Sequence, residues 1–153
     1  MSGTPQTLHG TLVDVTGNGV LLRGPSGSGK SSIALGLIDH ASNTAAPVFL
    51  VSDDRVVLKR RDDVIVGRAP DAIKGLLEIR GIGIVRMPTL EESTLHLIVD
   101  LVAENELQRY PDPEADRALI HGVAIPRVCC AARNPDAGGI IRAVLRFPRE
   151  RTE

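Results

Sequence analysis

Aromatic side chains are almost missing from this 153-residue chain: Phe49, Tyr110 and Phe147 are the full set, with no tryptophan. Proteins that hold single-stranded nucleic acid stack its bases on aromatic faces, so that function loses its material. The core must instead come from Val, Ile, Leu and Ala. Cysteine is equally scarce. Cys129 and Cys130 are adjacent, a spacing that strains a disulfide, and no second pair exists to complete a zinc cluster. They read as two small apolar residues in a strand. Neither sign of charge dominates: 18 basic against 19 acidic side chains leave a net charge of −1, without the basic surplus of a nucleic-acid or membrane-surface binder. No apolar run approaches the ~18–20 residues that cross a bilayer. Met1 to Gly10 lacks the apolar stretch of a secretion signal. The expectation is a cytoplasmic protein of one domain, residues 1–153, with neither nucleic acid nor membrane as partner.

Hydrophobic patterning predicts a strand-rich chain. Leu8 to Thr16 reads as one strand, Gly17-Asn18-Gly19 as a tight turn and Val20-Leu21-Leu22 as the returning strand of a hairpin. Ile33, Ala34, Leu37 and Ile38 fall on one face of a helix running from Ser31 to about His40. Val48 to Val51 is a short apolar run suited to a strand covered on both sides. Val56 to Arg60 and Val64 to Gly67 suggest a second hairpin. Asp71 to Leu77 reads as one or two helical turns with Asp71 as cap, and Leu95 to Val102 as a strand. Leu119 to Ala131 reads as one or two strands broken at Pro126, and Ile140 to Phe147 as strand or helix. The fold class is α/β with a β-rich core.

Between the second strand and the helix stands Gly24-Pro25-Ser26-Gly27-Ser28-Gly29-Lys30-Ser31, a complete G-x-x-x-x-G-K-[ST] match. Such a loop wraps an anion with successive backbone N–H groups, and its glycines allow close approach. The helix then turns its N-terminus toward the phosphates. Lys30 is expected on the β- and γ-phosphates and the Ser31 hydroxyl on Mg²⁺. A nucleoside triphosphate with magnesium is the implied ligand. The loop alone leaves kinase, ATPase, GTPase switch and inactive binding module open, although no N-K-x-D-like segment supports a GTPase. Asp53 and Asp54, following the apolar run of Val48 to Val51, are the next candidates. One carboxylate would support the magnesium shell and the other would take a proton from an attacking hydroxyl.

Four stretches in one order resemble the catalytic domain of the HPr kinase/phosphorylase family. They are His9 to Val15, Gly19 to Leu22 with the loop behind it, Ser52-Asp53-Asp54-Arg55-Val56, and Leu77-Glu78-Ile79-Arg80-Gly81-Ile82-Gly83-Ile84. The resemblance covers about residues 8–110. It implies a P-loop kinase fold related to phosphoenolpyruvate carboxykinase, and an ATP- and Mg²⁺-dependent protein serine kinase. The implied substrate is the phosphocarrier HPr or a nitrogen-type relative, with phosphorolytic dephosphorylation as the family's second activity. Asp54 matches the family's catalytic carboxylate, His9 its active-site histidine, and Glu78 a magnesium ligand beside Asp53 and Ser31. Arg109 matches the arginine of a D-R-L-G-like segment whose aspartate is Gln108 here. The family's phosphorolysis motif, P-V-K-x-G-R-N, would fall near Val128 to Asn134 and keeps only Arg133-Asn134. The chain resembles the short, catalytic-domain-only forms of some proteobacteria, without the family's N-terminal domain, and the family hexamer implies a homo-oligomer. A nucleotide-binding regulatory module that transfers no phosphate stands as the alternative.

Overall fold

Apolar residues on alternate positions of the central strands face two separate cores, and this decides the architecture. The computed structural model describes residues 3–150. Its strands are β1 (Gln6–His9), β2 (Thr11–Val15), β3 (Asn18–Arg23), β4 (Val48–Ser52), β5 (Arg55–Arg61), β6 (Val64–Arg68), β7 (Leu76–Ile79), β8 (Gly83–Arg86), β9 (Glu92–Val102), β10 (Arg117–Ile120) and β11 (Val123–Ala131). The helices are α1 (Lys30–Ala41) and α2 (Ala137–Arg146). Nine strands form one sheet in the order β1-β5-β6-β9-β3-β2-β4, with β11 joining β9 and β10 pairing β11; β7 and β8 make a separate hairpin. Val13, Val20, Leu22, Leu97, Val99 and Leu101 pack under α1 and α2 on one face. Leu12, Leu21, Val51 and Ile98 pack on the other face against Val56, Leu58, Ile65, Ile120 and Ile125. The β-rich α/β core is thus aliphatic: Tyr110 and Phe147 are exposed.

The β3–β9 and β9–β11 pairings are parallel. β4 runs the same way as β3, because β2 is antiparallel to both. The carboxyl ends of these four strands therefore share one edge of the sheet, where open α/β sheets place ligands.

Several elements depart from the sequence reading. The predicted first strand is two strands, broken at Gly10, because β1 pairs with β5 while β2 pairs with β3 and β4. The first hairpin turns at Thr16-Gly17, both with positive φ, and Asn18 and Gly19 already belong to β3. The break predicted at Pro126 lies at His121-Gly122, also both of positive φ, and β11 continues through Pro126 opposite Arg117. Only Asp71–Ile73 is helical, as a single 3-10 turn whose cap position is Pro70, and Leu76–Leu77 opens a strand. Leu95 and Leu97 are two apart yet face different cores, since a register shift between β3 and β9 skips His96. The segment 140–147 is helical up to Arg146.

The sheet edge carrying the site is held by Asp100. Arg23 donates two hydrogen bonds to its carboxylate, at 2.7 and 2.8 Å, and Arg127 donates a third while also pairing with Asp116. Burial pushes the Asp100 carboxyl up, but the hydrogen bonds from Arg23 and Arg127 prevail and hold it below the usual carboxylate range. A carboxyl depressed in the folded state adds stability above its unfolded pKa of about 3.9, and this is lost as pH falls through the folded value. Asp100→Asn is therefore expected to cost about 2–3 kcal/mol at pH 7, since Arg23 loses its charge partner and Arg127 one of its two. Urea unfolding should show that loss shrinking toward pH 3.

Candidate active site

The loop from Gly24 to Gly29 leaves β3 and enters α1 at Lys30. Gly29, the residue before the helix, has φ 103°, a backbone that side chains rarely adopt. A side chain on Gly24 would lie 2.7 Å from Ser28 Oγ and 3.0 Å from Leu101 Cβ, so only glycine fits there. Lys30 is buried, and its Nζ donates to the carbonyls of Gly24 at 2.7 Å and Pro25 at 3.0 Å. Burial pushes its ammonium below the ordinary lysine value against the opposing pull of Asp54 and Asp53. A positive charge buried inside a glycine loop is arranged to meet an anion.

Asp53 directly follows the buried end of β4, with 5% of its surface exposed. The Thr11 hydroxyl donates to Oδ1 at 2.9 Å, the Ser31 hydroxyl to the same oxygen at 2.7 Å, and the Glu78 N–H to Oδ2 at 3.2 Å. Three strands and the helix start thus converge on one buried carboxylate, which has no ion-pair partner among the described residues.

Asp54 is turned the other way. Its φ is 70°, and the Arg55 N–H donates to the Asp53 carbonyl across it at 2.8 Å, a three-residue turn of costly conformation. The turn is held by Gly10, whose N–H donates to the Asp54 carbonyl at 2.9 Å. Adjacent aspartates consequently point apart, one inward and one to solvent with its side chain 65% exposed. His9, opposite Arg55 in the β1–β5 ladder, places Nε2 3.2 Å from Asp54 Oδ1, and Arg55 Nε lies 3.8 Å from Oδ2.

The structure therefore brings together His9, the loop from Gly24 to Ser31, Asp53 and Asp54, with Glu78 alongside through its backbone and its side chain exposed. Arg109 is not among them. It lies exposed beyond β9, its guanidinium 5.1 Å above the ring of Tyr110. Two contacts escape a motif reading. Thr11 sits inside the His9 to Val15 stretch, but nothing in that stretch says that its hydroxyl turns toward Asp53. Arg133 donates from its backbone N to the Ser28 carbonyl and from Nε to the Gly27 carbonyl, both at 2.9 Å, bracing the loop from the end of β11. The retained Arg133-Asn134 pair was its only sequence signal.

The donor set suits magnesium. Ser31 Oγ adjoins an inward carboxylate that has hydroxyl and amide partners but no cation, with Glu78 beside it. Magnesium keeps several waters and is commonly held by one or two carboxylates together with substrate phosphates. Among the described residues no three His, Cys, Asp or Glu side chains form a cage of their own.

The chain is similar to known proteins over most of its length. The family model described as HPr Serine kinase C-terminal domain matches residues 3–136. An HPr kinase/phosphorylase of Limosilactobacillus reuteri is 40% identical over 134 residues, covering 80% of this chain and 40% of that protein. One from Peptoclostridium acidaminophilum is 45% identical over 105 residues, covering 66% of this chain and 32% of that protein. The chain thus spans well under half the length of these curated relatives. A solved structure titled as the Hpr(Ser) kinase/phosphatase from Coxiella burnetii superposes with a TM-score of 0.79 at 27% identity, covering 92% of this chain and 94% of that one.

Proposed function

The chain belongs to the HPr serine kinase C-terminal domain family, and from that premise we propose that it is an ATP- and Mg²⁺-dependent protein kinase acting on a seryl hydroxyl of an HPr-type phosphocarrier. The observation that carries the reading is the division of labour between two adjacent carboxylates. Asp53 is buried against the loop serine, and Asp54 is held outward beside His9 by a strained turn.

Phosphate oxygens would replace the Gly24 and Pro25 carbonyls as partners of Lys30, with the loop amides around them. Magnesium, held by Ser31, Asp53 and Glu78, would neutralise charge on the phosphates. Asp54 would accept the seryl proton as the seryl oxygen bonds the γ-phosphorus and the bond to the β-phosphate oxygen breaks. The His9 hydrogen bond would fix which carboxylate oxygen faces the acceptor. Asp54 and His9 lie on open surface, with side chains 65% and 45% exposed. A serine borne on a protein can reach them there, whereas a small acceptor would need an enclosing pocket. In phosphorolysis an oxygen of inorganic phosphate would bond the phosphoserine phosphorus while the bond to the seryl oxygen breaks and Asp54 returns a proton to it, leaving serine and pyrophosphate, and Arg133 against the loop supports retaining that activity. Residues 1–153 would act as one catalytic domain, assembled as a homo-oligomer in the cytoplasm. Arg109 would meet the protein substrate from outside this cluster. Among the described residues no helix is long and apolar enough to cross a membrane.

ADP release measured with and without an HPr-type carrier tests the reading. Release that needs both carrier and Mg²⁺ is expected, and ADP formed at the same rate without carrier would contradict it.

A further inference from the structure

Among the described residues one guanidinium stands within 4 Å of Asp54, and it has no hydrogen-bond acceptor of its own. It belongs to Arg55, the first residue of β5, whose backbone is fixed on both sides. Its N–H donates to the Asp53 carbonyl, and its carbonyl accepts from the Ser52 hydroxyl. In the β1–β5 ladder it is the direct partner of His9. Opposed residues of a ladder send their side chains to the same face, so Arg55 and His9 stand together beside Asp54. They take different oxygens of its carboxylate. His9 Nε2 lies 3.2 Å from Oδ1, and Arg55 Nε lies 3.8 Å from Oδ2.

At 3.8 Å the Arg55 contact is a charge pair and not a hydrogen bond, so the N–H donors of the guanidinium remain uncommitted. Arg61 on the same strand behaves otherwise. It grips Glu92 with two hydrogen bonds, at 3.0 and 3.2 Å, and that grip holds the Glu92 carboxyl below its usual range. An arginine seated on Asp54 in that way would keep the carboxylate charged and weaken it as a proton acceptor. Arg55 leaves Asp54 free to take a proton. Its side chain is exposed on the surface that a protein-borne serine must approach, with its fork open to another oxyanion.

Phosphoryl transfer moves the negative charge past this side chain. As Asp54 accepts the seryl proton it becomes neutral, and Arg55 loses the carboxylate within 4 Å. In the same step the seryl oxygen bonds the γ-phosphorus, the bond to the β-phosphate oxygen breaks, and the serine acquires about −1.5 to −2 charges with three acceptor oxygens. We propose that Arg55 binds this new phosphoryl group and makes the site discriminate the serine-phosphorylated carrier from the unmodified one. The proposal rests on reading Asp54 as the acceptor of the seryl proton. Arginine pairs with phosphate through two parallel N–H bonds, and the seryl oxygen that faces Asp54 brings the phosphoryl oxygens next to the open fork.

The test compares the HPr-type carrier with its own phosphorylated form. Phosphocarrier is made with the wild-type chain, ATP and Mg²⁺ and separated by anion exchange. Both forms are then titrated into wild type, Arg55→Ala and Arg55→Lys by calorimetry, in buffer free of nucleotide and phosphate. Arg55→Ala is expected to bind phosphocarrier about tenfold or more weakly, and unmodified carrier within about twofold of the wild type. Arg55→Lys keeps the charge without the fork and should recover part of the loss. A side chain that only shaped the turn would weaken both ligands alike and lower the melting temperature. Equal losses for the two forms, as an arginine reading an acidic side chain of the carrier would give, or unchanged affinity for phosphocarrier, would overturn the phosphoryl assignment and leave the kinase reading intact. A wild type that forms no phosphocarrier would overturn both.

Discussion

Asp54→Asn is expected to slow phosphoryl transfer about 10²–10⁴-fold, the usual contribution of a positioned general base. ATP affinity should stay within about twofold, because Asp54 is turned to solvent and acts on Lys30 only through the charge pull that burial already outweighs. The substitution isolates chemistry from folding for a local reason. Asp54 holds a φ of 70°, and asparagine, like aspartate, tolerates that region better than most side chains. The Gly10 to Asp54 and Arg55 to Asp53 backbone bonds therefore survive, and the substituted amide still offers an oxygen to His9. What is lost is the carboxylate that takes the proton. ADP release under saturating carrier, with calorimetry on the same preparation, measures both quantities. A regulatory module that binds nucleotide without transferring phosphate would show no difference between wild type and variant.

Lys30→Met is expected to do the opposite, lowering ATP affinity at least about tenfold and transfer about 10²–10³-fold, the scale of losing one preorganised charge on the reacting group. The fold should not suffer. Burial already disfavours the ammonium form of Lys30, so an apolar chain of similar length gives back that desolvation, against two carbonyls that lose a donor. Thermal unfolding of the nucleotide-free protein should move by only a few degrees, while the stabilisation conferred by ATP should largely vanish. The contrast between the two variants separates a binding residue from a proton acceptor.

Much of the site was legible because its chemistry sits in contiguous motifs. A glycine loop between strand and helix, and two aspartates after an apolar run, are spacings that one turn of backbone enforces. What the sequence could not display were contacts made across the sheet. Thr11 reaches Asp53 only because β2 and β4 are neighbours, and Arg133 reaches Gly27 because β11 ends beside the loop. Neither adjacency has a local signature. The elements misread have a similar cause. Gly10 splits the first strand because the chain there changes partners, from β5 to β3 and β4, and hydrophobic alternation is blind to a change of partner. The turns at Thr16-Gly17 and His121-Gly122 place a threonine and a histidine at positive φ, positions that composition assigns to asparagine or glycine. Arg109 rests on a resemblance whose segment carries Gln108 in place of aspartate, and its guanidinium lies over the ring of Tyr110.

The most direct test of the kinase reading is the intact mass of an HPr-type carrier after incubation with this chain, ATP and Mg²⁺, with Asp54→Asn run in parallel. The account predicts a gain of one phosphoryl group on a serine of the carrier, with almost none from the variant over the same time. An unmodified carrier in the presence of clear ATP binding, or equal modification by wild type and variant, would contradict it.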